Sequence, residues 1–216
     1  MAERHWLYCV TRAGCEPPEG TAGIGGAGVF VVDDGEHALW ASRLGDRSPR
    51  SIDGVRCHNA VVMAAMAGGV TPVPLRFGQV VDAEELPAVL EAHRLEWRKR
   101  LDEFAGTLEL GVRLDGGDYR VPSADAASGR QFMEALLRRR REALEAVALV
   151  RRQVSAYVLR EHLQLPERGR DFTGVAHLIR RERTEMYRRS LDELTACLPH
   201  FRLTISGPWP PYSFAA

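Results

Sequence analysis

With 216 residues, 45% of them apolar and 27% charged, the chain has enough material for one large globular domain or two small ones. Its 29 basic residues balance 29 acidic ones, which removes the usual electrostatic case for nucleic acid as the main partner. No basic region followed by an apolar stretch opens the sequence and no apolar run is long enough to span a bilayer, so a cytosolic protein with no membrane partner is expected.

The neutral total hides an asymmetry. Residues 1–105 carry 15 acids and 11 bases, the remainder 14 acids and 18 bases. Lys99 is the single lysine. Cys9, Cys15, Cys57 and Cys197 are scattered and form no C-x-x-C, so they read as small buried hydrophobes, with no disulfide, metal or other cofactor expected.

In chain order, residues 5–11 read as a short buried strand, followed by a Gly- and Pro-rich loop to Gly28. Residues 28–32 and 37–41 read as a hairpin around Asp33-Asp34-Gly35-Glu36, since an Asp-Gly turn supplies the positive φ a tight hairpin needs. Polar residues 42–54 connect to an apolar helix, Cys57 to Ala67, ended by Gly68-Gly69. Val70 to Phe77 returns as a strand whose prolines place it at a sheet edge or a strand start. Glu84 to Phe104 is a helix whose face carries Leu86, Val89, Leu90, His93, Trp97, Leu101 and Phe104 at the 3.6-residue period. Gly106 stops it, and Thr107 to Leu114 is a strand ended by Asp115-Gly116-Gly117.

Near Ser128 a long helix begins and runs to about Leu163, with Met133, Leu137, Leu144, Val147, Val154 and Val158 as its apolar stripe. Arg140 and Arg151 interrupt that stripe, so the helix is expected to be only partly buried in its own chain. A short strand (175–180), a helix (182–198) and a final strand (201–206) follow. These elements give an α+β protein of two domains. Residues 1–105 form a smaller N-terminal α+β domain, and residues 106–216 form a ferredoxin-like domain that carries the C-terminal tail.

Most local motifs read as structural. Gly23-Ile24-Gly25-Gly26-Ala27-Gly28 satisfies G-x-G-x-x-G, but a Pro-rich loop precedes it and a β-branched run follows, where a dinucleotide site needs strand and helix. Arg138-Arg139-Arg140-Arg141 would point around most of a helix circumference, with Glu134, Glu142 and Glu145 near enough to neutralise several of them. Arg180, Arg181, Arg183, Arg188 and Arg189 form a second basic cluster open to an acidic partner. Cys57 and His58 diverge on a helix, which discounts a nucleophile pair and leaves His58 to cap or pack the helix end. There is no G-x-S-x-G, P-loop or catalytic acid pair, so no enzyme is expected.

Two segments carry more. Arg76, among apolar neighbours in Pro74-Leu75-Arg76-Phe77-Gly78, calls for an anionic or carbonyl partner, either in an ion pair between domains or in a binding role. The tail, Ser206-Gly207-Pro208-Trp209-Pro210-Pro211-Tyr212-Ser213-Phe214-Ala215, is held extended by its prolines and must bury its rings on its own domain or on another protein. The candidate protein-binding residues are therefore Trp209, Pro210, Pro211, Tyr212, Phe214, Arg76 and Phe77.

Taken together, Trp6-Leu7-Tyr8-Cys9-Val10, the glycine approach at Gly23-Ile24, the helix at His58, Val73-Pro74-Leu75-Arg76-Phe77-Gly78, Leu108-Glu109-Leu110-Gly111-Val112 and Gly-Pro-Trp-Pro-Pro-Tyr-Ser-Phe at the C-terminus resemble the GvpF/GvpL family of gas vesicle proteins. The resemblance implies two α+β domains, the second a modified ferredoxin-like fold. It also implies a non-enzymatic accessory or minor structural role in gas vesicle formation, inside the cytoplasm, with the hydrophobic shell protein GvpA and other gas vesicle proteins as partners. The fold class alone also suggests a small-molecule-binding or regulatory protein, which a pocket joining Arg76 to a histidine would favour. Self-association through the helix after residue 130 is a third reading.

Overall fold

A computed structural model describes residues 3–45, 50–116, 128–164 and 172–215, which form two compact units. The first is Met1–Leu108 with Trp209–Ala216, the second Glu109–Pro208. The tail thus groups with the first unit, where the sequence assigned it to the second.

The first unit is built on one antiparallel sheet. Its strands are β1 (Arg4–Arg12), β2 (Val29–Asp33), β3 (His37–Arg43), β4 (Val73–Pro74) and β5 (Val80–Asp82). The order is β2-β3-β1-β4, with β5 also paired to β1. The hairpin falls where the Asp-Gly signal put it. Asp33 Oδ1 accepts from Gly35 N at 2.6 Å, and Asp34 Oδ1 accepts from the amides of Glu36 and His37 at 2.9 and 2.7 Å. Gly35 takes φ 84°, a region L-residues avoid. β4 is an edge, as its prolines require, but it is only two residues long. β5, entered through the turn at Gly78, was not read from the sequence.

α1 (Ile52–Ala67) starts earlier than predicted, because Ser51 Oγ accepts from Gly54 N at 3.0 Å and caps it. α2 (Leu86–Phe104) follows a 3-10 turn closed by an Asp82–Glu85 capping box. Trp6, Tyr8 and Trp40 pack with Val61, Val62 and Ala65 of α1. On β3, His37 meets the ring of Trp97 of α2 edge-on, with centroids 6.3 Å apart.

The glycine motif is a 3-10 turn, Ile24–Gly26, leading into β2 rather than a helix, so no helix N-terminus is there to hold a pyrophosphate. The turn is tied down: Tyr8 Oη accepts from Ile24 N at 2.8 Å and bonds Ser42 Oγ at 2.7 Å. A Cβ at Gly23 would lie 2.3 Å from Tyr8 Oη, so the buried hydroxyl itself requires glycine.

The second unit runs β6 (Thr107–Gly116), α3 (Gly129–Val154), β7 (Val158–Gln164), β8 (Phe172–Arg180), α4 (Thr184–Thr195) and β9 (Phe201–Trp209). The sheet order is β7-β8-β6-β9. Strands joined by a helix are separated by a third strand, the split βαβ arrangement of a ferredoxin-like fold. The long helix stops at Val154, nine residues before the predicted end. The chain then turns, with Tyr157 N bonded to Val154 O at 2.9 Å, and Val158–Gln164 pairs antiparallel with β8. Val154 and Val158 sit at a spacing that suits a helix, and strand pairing overrides it. α4 is shorter than predicted, and β9 runs three residues further, to Trp209.

The stripe predicted for α3 is also redistributed. Val147 and Val154 are buried, together with Ala135, Ala143, Ala146 and Val150, whereas Met133, Leu137 and Leu144 are exposed. Arg130 pairs with Glu134 at 2.9 Å, one turn before the 138–141 run. The side chain of Arg139, Gly117 and residues 46–49 of the predicted polar connection lie outside the described residues. Of the cysteines, Cys9 is buried, Cys15 and Cys57 are half-buried, and Cys197 is exposed, against the expectation of burial; all four are free thiols.

Candidate interaction site

Within the first unit a cleft of about 540 Å³ lies between α2 and the edge formed by β4, β5 and the turn joining them. Leu7, Val73, Pro74, Val80, Val81, Val89 and Trp97 make its apolar wall, and Arg76, Gln79, His93, Glu96 and Arg100 bring polar groups to it. Tyr212 and Ala215 of the tail also line it.

The tail reaches this place by folding back. After Trp209 it is not extended: Phe214 N and Ala215 N both bond to Pro211 O, at 3.1 and 3.0 Å, closing a turn. Pro210, Pro211 and Phe214 are buried, whereas Trp209 and Tyr212 are half-buried. Tyr212 Oη donates to Asn59 Oδ1 of α1 at 2.9 Å, and Arg100 Nη1 of α2 donates to Phe214 O at 3.1 Å. The tail is therefore latched to both helices of the first unit.

Behind the cleft, a buried polar chain organises the wall. Trp6 Nε1 donates to His58 Nδ1 at 3.0 Å, which leaves the proton on Nε2, 3.2 Å from Leu75 O. Burial holds the His58 pKa down at about 4, so the ring stays neutral and makes both bonds. His58 is thus an interior bridge from α1 to β1 and the β4 edge, not a helix cap. Phe77 packs edge-on against Trp6 and His58, at centroid distances of 5.0 and 5.7 Å, and is a core contact.

Arg76 departs from expectation. Beyond Pro74 the chain leaves the sheet, and Arg76 sits exposed in the turn that Gly78 closes with φ 100°. Among the described residues it has no ion-pair partner, so the predicted pair between domains is not found there. Across the cleft, His93 stacks on Trp97 at 5.1 Å and 23° and lies 3.3 Å from Glu96. The other flank of α2 is clamped to the hairpin tip, where Glu36 bonds to Arg94 and Arg98. The Arg98 guanidinium is the main cause of a Glu36 pKa lowered to about 2.

The structure thus brings Arg76 and Tyr212 to one cleft and puts Phe77 behind it. It buries Pro210, Pro211 and Phe214 in the docked tail, with Trp209 outside the cleft's lining. Sequence reasoning missed Arg100, although its i+3 relation to Trp97 puts it on the same helical face. Nothing in the sequence singles out Asn59. Among the described residues no cluster of His, Cys, Asp and Glu is arranged to hold a metal, and no helix is long and apolar enough to cross a membrane.

The sequence matches the profile of the family described as gas vesicle synthesis protein GvpL/GvpF over residues 4–125 and 122–216. Gas vesicle protein L of Streptomyces sp. (strain CB03234) is 29% identical, the match spanning 97% of this chain and 92% of that protein. Gas vesicle protein F of the same strain is 27% identical, spanning 97% and 98%. The crystal structure of the gas vesicle protein GvpF from Anabaena sp. PCC7120 has the same fold, with a TM-score of 0.81 at 19% identity, covering 100% of this chain and 97% of that one. Together with the two α+β units and the docked aromatic tail, the two-segment match places this chain in the gas vesicle GvpL/GvpF family.

Proposed function

We propose that this chain serves gas vesicle formation as a non-enzymatic accessory or minor structural protein at the vesicle within the cytoplasm, binding the shell protein GvpA and other gas vesicle proteins through the tail and cleft of its first unit. The observation that supports this most is the latched tail: it ends in the wall of a cleft whose rim carries the exposed guanidinium of Arg76. Shell subunits expose apolar surface before they polymerise, and a folded partner with an apolar cleft and a polar rim can hold that surface away from water. The test is deletion of the gene in a vesicle-forming host, with pull-down by tagged GvpA. Loss of vesicles, with recovery of the native chain and weaker recovery of Arg76→Glu, supports the reading. Intact vesicle yield with no gas vesicle protein recovered overturns it.

A second reading has one observation in its favour. The cleft joins Arg76 to His93 and is within the volume range of small-ligand sites. A small anion bound there would raise the melting temperature of the native chain and not that of Arg76→Ala.

A further inference from the structure

The second unit holds a pocket of about 260 Å³ between α3 and the segment that joins α4 to β9. Ala146 and Leu149 of α3, with Leu198 and Phe201 across from them, make its apolar wall. Glu142 and Glu145 bring two carboxylates to it. No arginine or lysine lines it, although the chain after residue 105 carries 18 basic residues. Three positions apart on one helix, the two glutamates are neighbours and their charges repel. Neither has an ion-pair partner among the described residues.

The least satisfied atom of the pocket is Glu142 Oε2. It is shut off from solvent and has no hydrogen-bond partner, although the residue as a whole is half-buried. An acceptor cut off from water and left without a donor is costly, and a charged one more so. Glu145 also lines the neighbouring groove with Arg140 and Arg141, whereas Glu142 lines this pocket and not that groove. Two carboxylates with no basic side chain disfavour an anion. A divalent metal ion fits no better: among the described residues no group of His, Cys, Asp and Glu is arranged to hold one, and hard cations take six or more oxygens. The volume is also below the roughly 300–1,000 Å³ of drug-sized sites, so the space suits a chain of side-chain size and not a nucleotide.

We propose that this pocket binds an aliphatic cation, a guanidinium or ammonium head on a short hydrocarbon stem. The stem lies against Leu149, Leu198 and Phe201, and the head donates to Glu142 with the Glu145 charge beside it. A guanidinium suits the pair best, because its planar fork can donate to more than one carboxylate oxygen at once. A free small cation and an arginine side chain of a polypeptide present the same chemistry. The pocket belongs to the second unit and stands or falls independently of the tail and cleft.

The experiment titrates the isotope-labelled full chain with pentylguanidinium and with pentylurea, which share a shape and differ in charge. Amide chemical shifts are expected to saturate at residues 142–149 and 197–201, with the cation bound about tenfold or more tighter than the urea. Glu142→Gln is expected to abolish that preference without lowering the melting temperature and to leave the urea's affinity unchanged. Glu145→Gln, at an exposed position, gives a second reading and is expected to weaken the cation by about threefold. Equal affinities for cation and urea, no saturable shift at those residues, or an unaltered preference in Glu142→Gln overturns the proposal. So does Zn²⁺ alone binding there more tightly than the cation and failing to bind Glu142→Gln, which would assign the carboxylates to a metal. A blocked peptide with one arginine among alanines separates the two sources, and either result supports the site. Binding as tight as that of pentylguanidinium assigns the head to a polypeptide, and exclusion of the peptide assigns it to a free cation.

Discussion

α2 and α3 are both long amphipathic helices, and they turn their large side chains in opposite directions. α2 buries Leu86, Leu90, Trp97, Leu101 and Phe104 and exposes only Leu95 among its large apolar residues. α3 seats itself with alanines and valines and leaves Met133, Leu136, Leu137, Leu144 and Leu149 exposed. The imbalance extends to the whole molecule: of the eleven large apolar residues exposed among the described ones, eight belong to the second unit. A helix with large side chains inward gives its apolar area to its own fold. One with small side chains inward approaches its neighbours closely and leaves its large side chains outside its own core.

The comparison breaks most readily at Trp97. It is 5% exposed, meets His37 edge-on and stacks with His93. Trp97→Ala is expected to destabilise the first unit by about 3–5 kcal/mol, through lost burial and a cavity the sheet cannot collapse into. Denaturant unfolding measures it, and a cost under about 1 kcal/mol would mean α2 is not anchored through Trp97.

Acid sharpens the comparison from the side of the two cores. His58 in the first unit and His177 in the second are both held near pKa 4 by burial, against about 6.5 in an unfolded chain. Between those values the unfolded chain binds more protons than the folded one. Stability is therefore full above pH 6.5 and falls as the pH drops toward 4, by on the order of 3 kcal/mol for each histidine. The partners differ. His58 uses both nitrogens, whereas His177 bonds Tyr187 Oη at 2.6 Å through Nδ1 and leaves Nε2 3.9 Å from Glu161 Oε2. Hydrogen exchange at β1 and β8 from pH 7 to 4.5 reads each unit separately. Replacing His58 by Gln is expected to remove the acid loss at β1 alone.

A smaller effect tests the inner face of α3. If Ala146 is small because the helix must approach its neighbours closely, then Ala146→Leu overpacks the contact and costs about 1–3 kcal/mol. A neutral result would show that α3 is loosely seated and that its alanines carry no packing requirement.

What the sequence allowed to be read follows the same division. The hairpin at Asp33–Glu36, the stop at Gly68-Gly69 and the face of α2 were legible because each is set by local backbone chemistry or by a period that matches its own burial. β5 and β7 were not, since a three-residue edge strand and a strand that continues a helical spacing exist only through pairing with β1 and β8. The apolar stripe of α3 was found, but periodicity cannot tell which of two apolar faces meets the parent fold. At the candidate site, Arg76 and Tyr212 stood out in the sequence by their unusual neighbours, and both line the cleft. The folding of the tail onto the first unit was not legible, because Asn59 and Arg100 are ordinary residues until the chain brings them there. Arg76 was misjudged for a related reason: an apolar neighbourhood in sequence became an exposed turn once Gly78 took the chain off the sheet.

The smallest predicted effect is the one the comparison needs most. Leu137 is 59% exposed, so its removal takes little apolar area from the fold, and alanine is at least as good a helix former. Leu137→Ala should therefore change the unfolding free energy by no more than about 0.5 kcal/mol, the range of a surface substitution. The measurement is denaturant unfolding at two protein concentrations a hundredfold apart. If the loss instead reaches 2 kcal/mol at both, Leu137 packs against this chain itself and the outer face of α3 is not free. If the loss appears only at the higher concentration, the stabilisation comes from association of copies, because mass action makes such stability depend on concentration. A null result at both concentrations leaves a leucine-sized apolar side chain on α3 that folding does not use, which is the condition for a partner to use it.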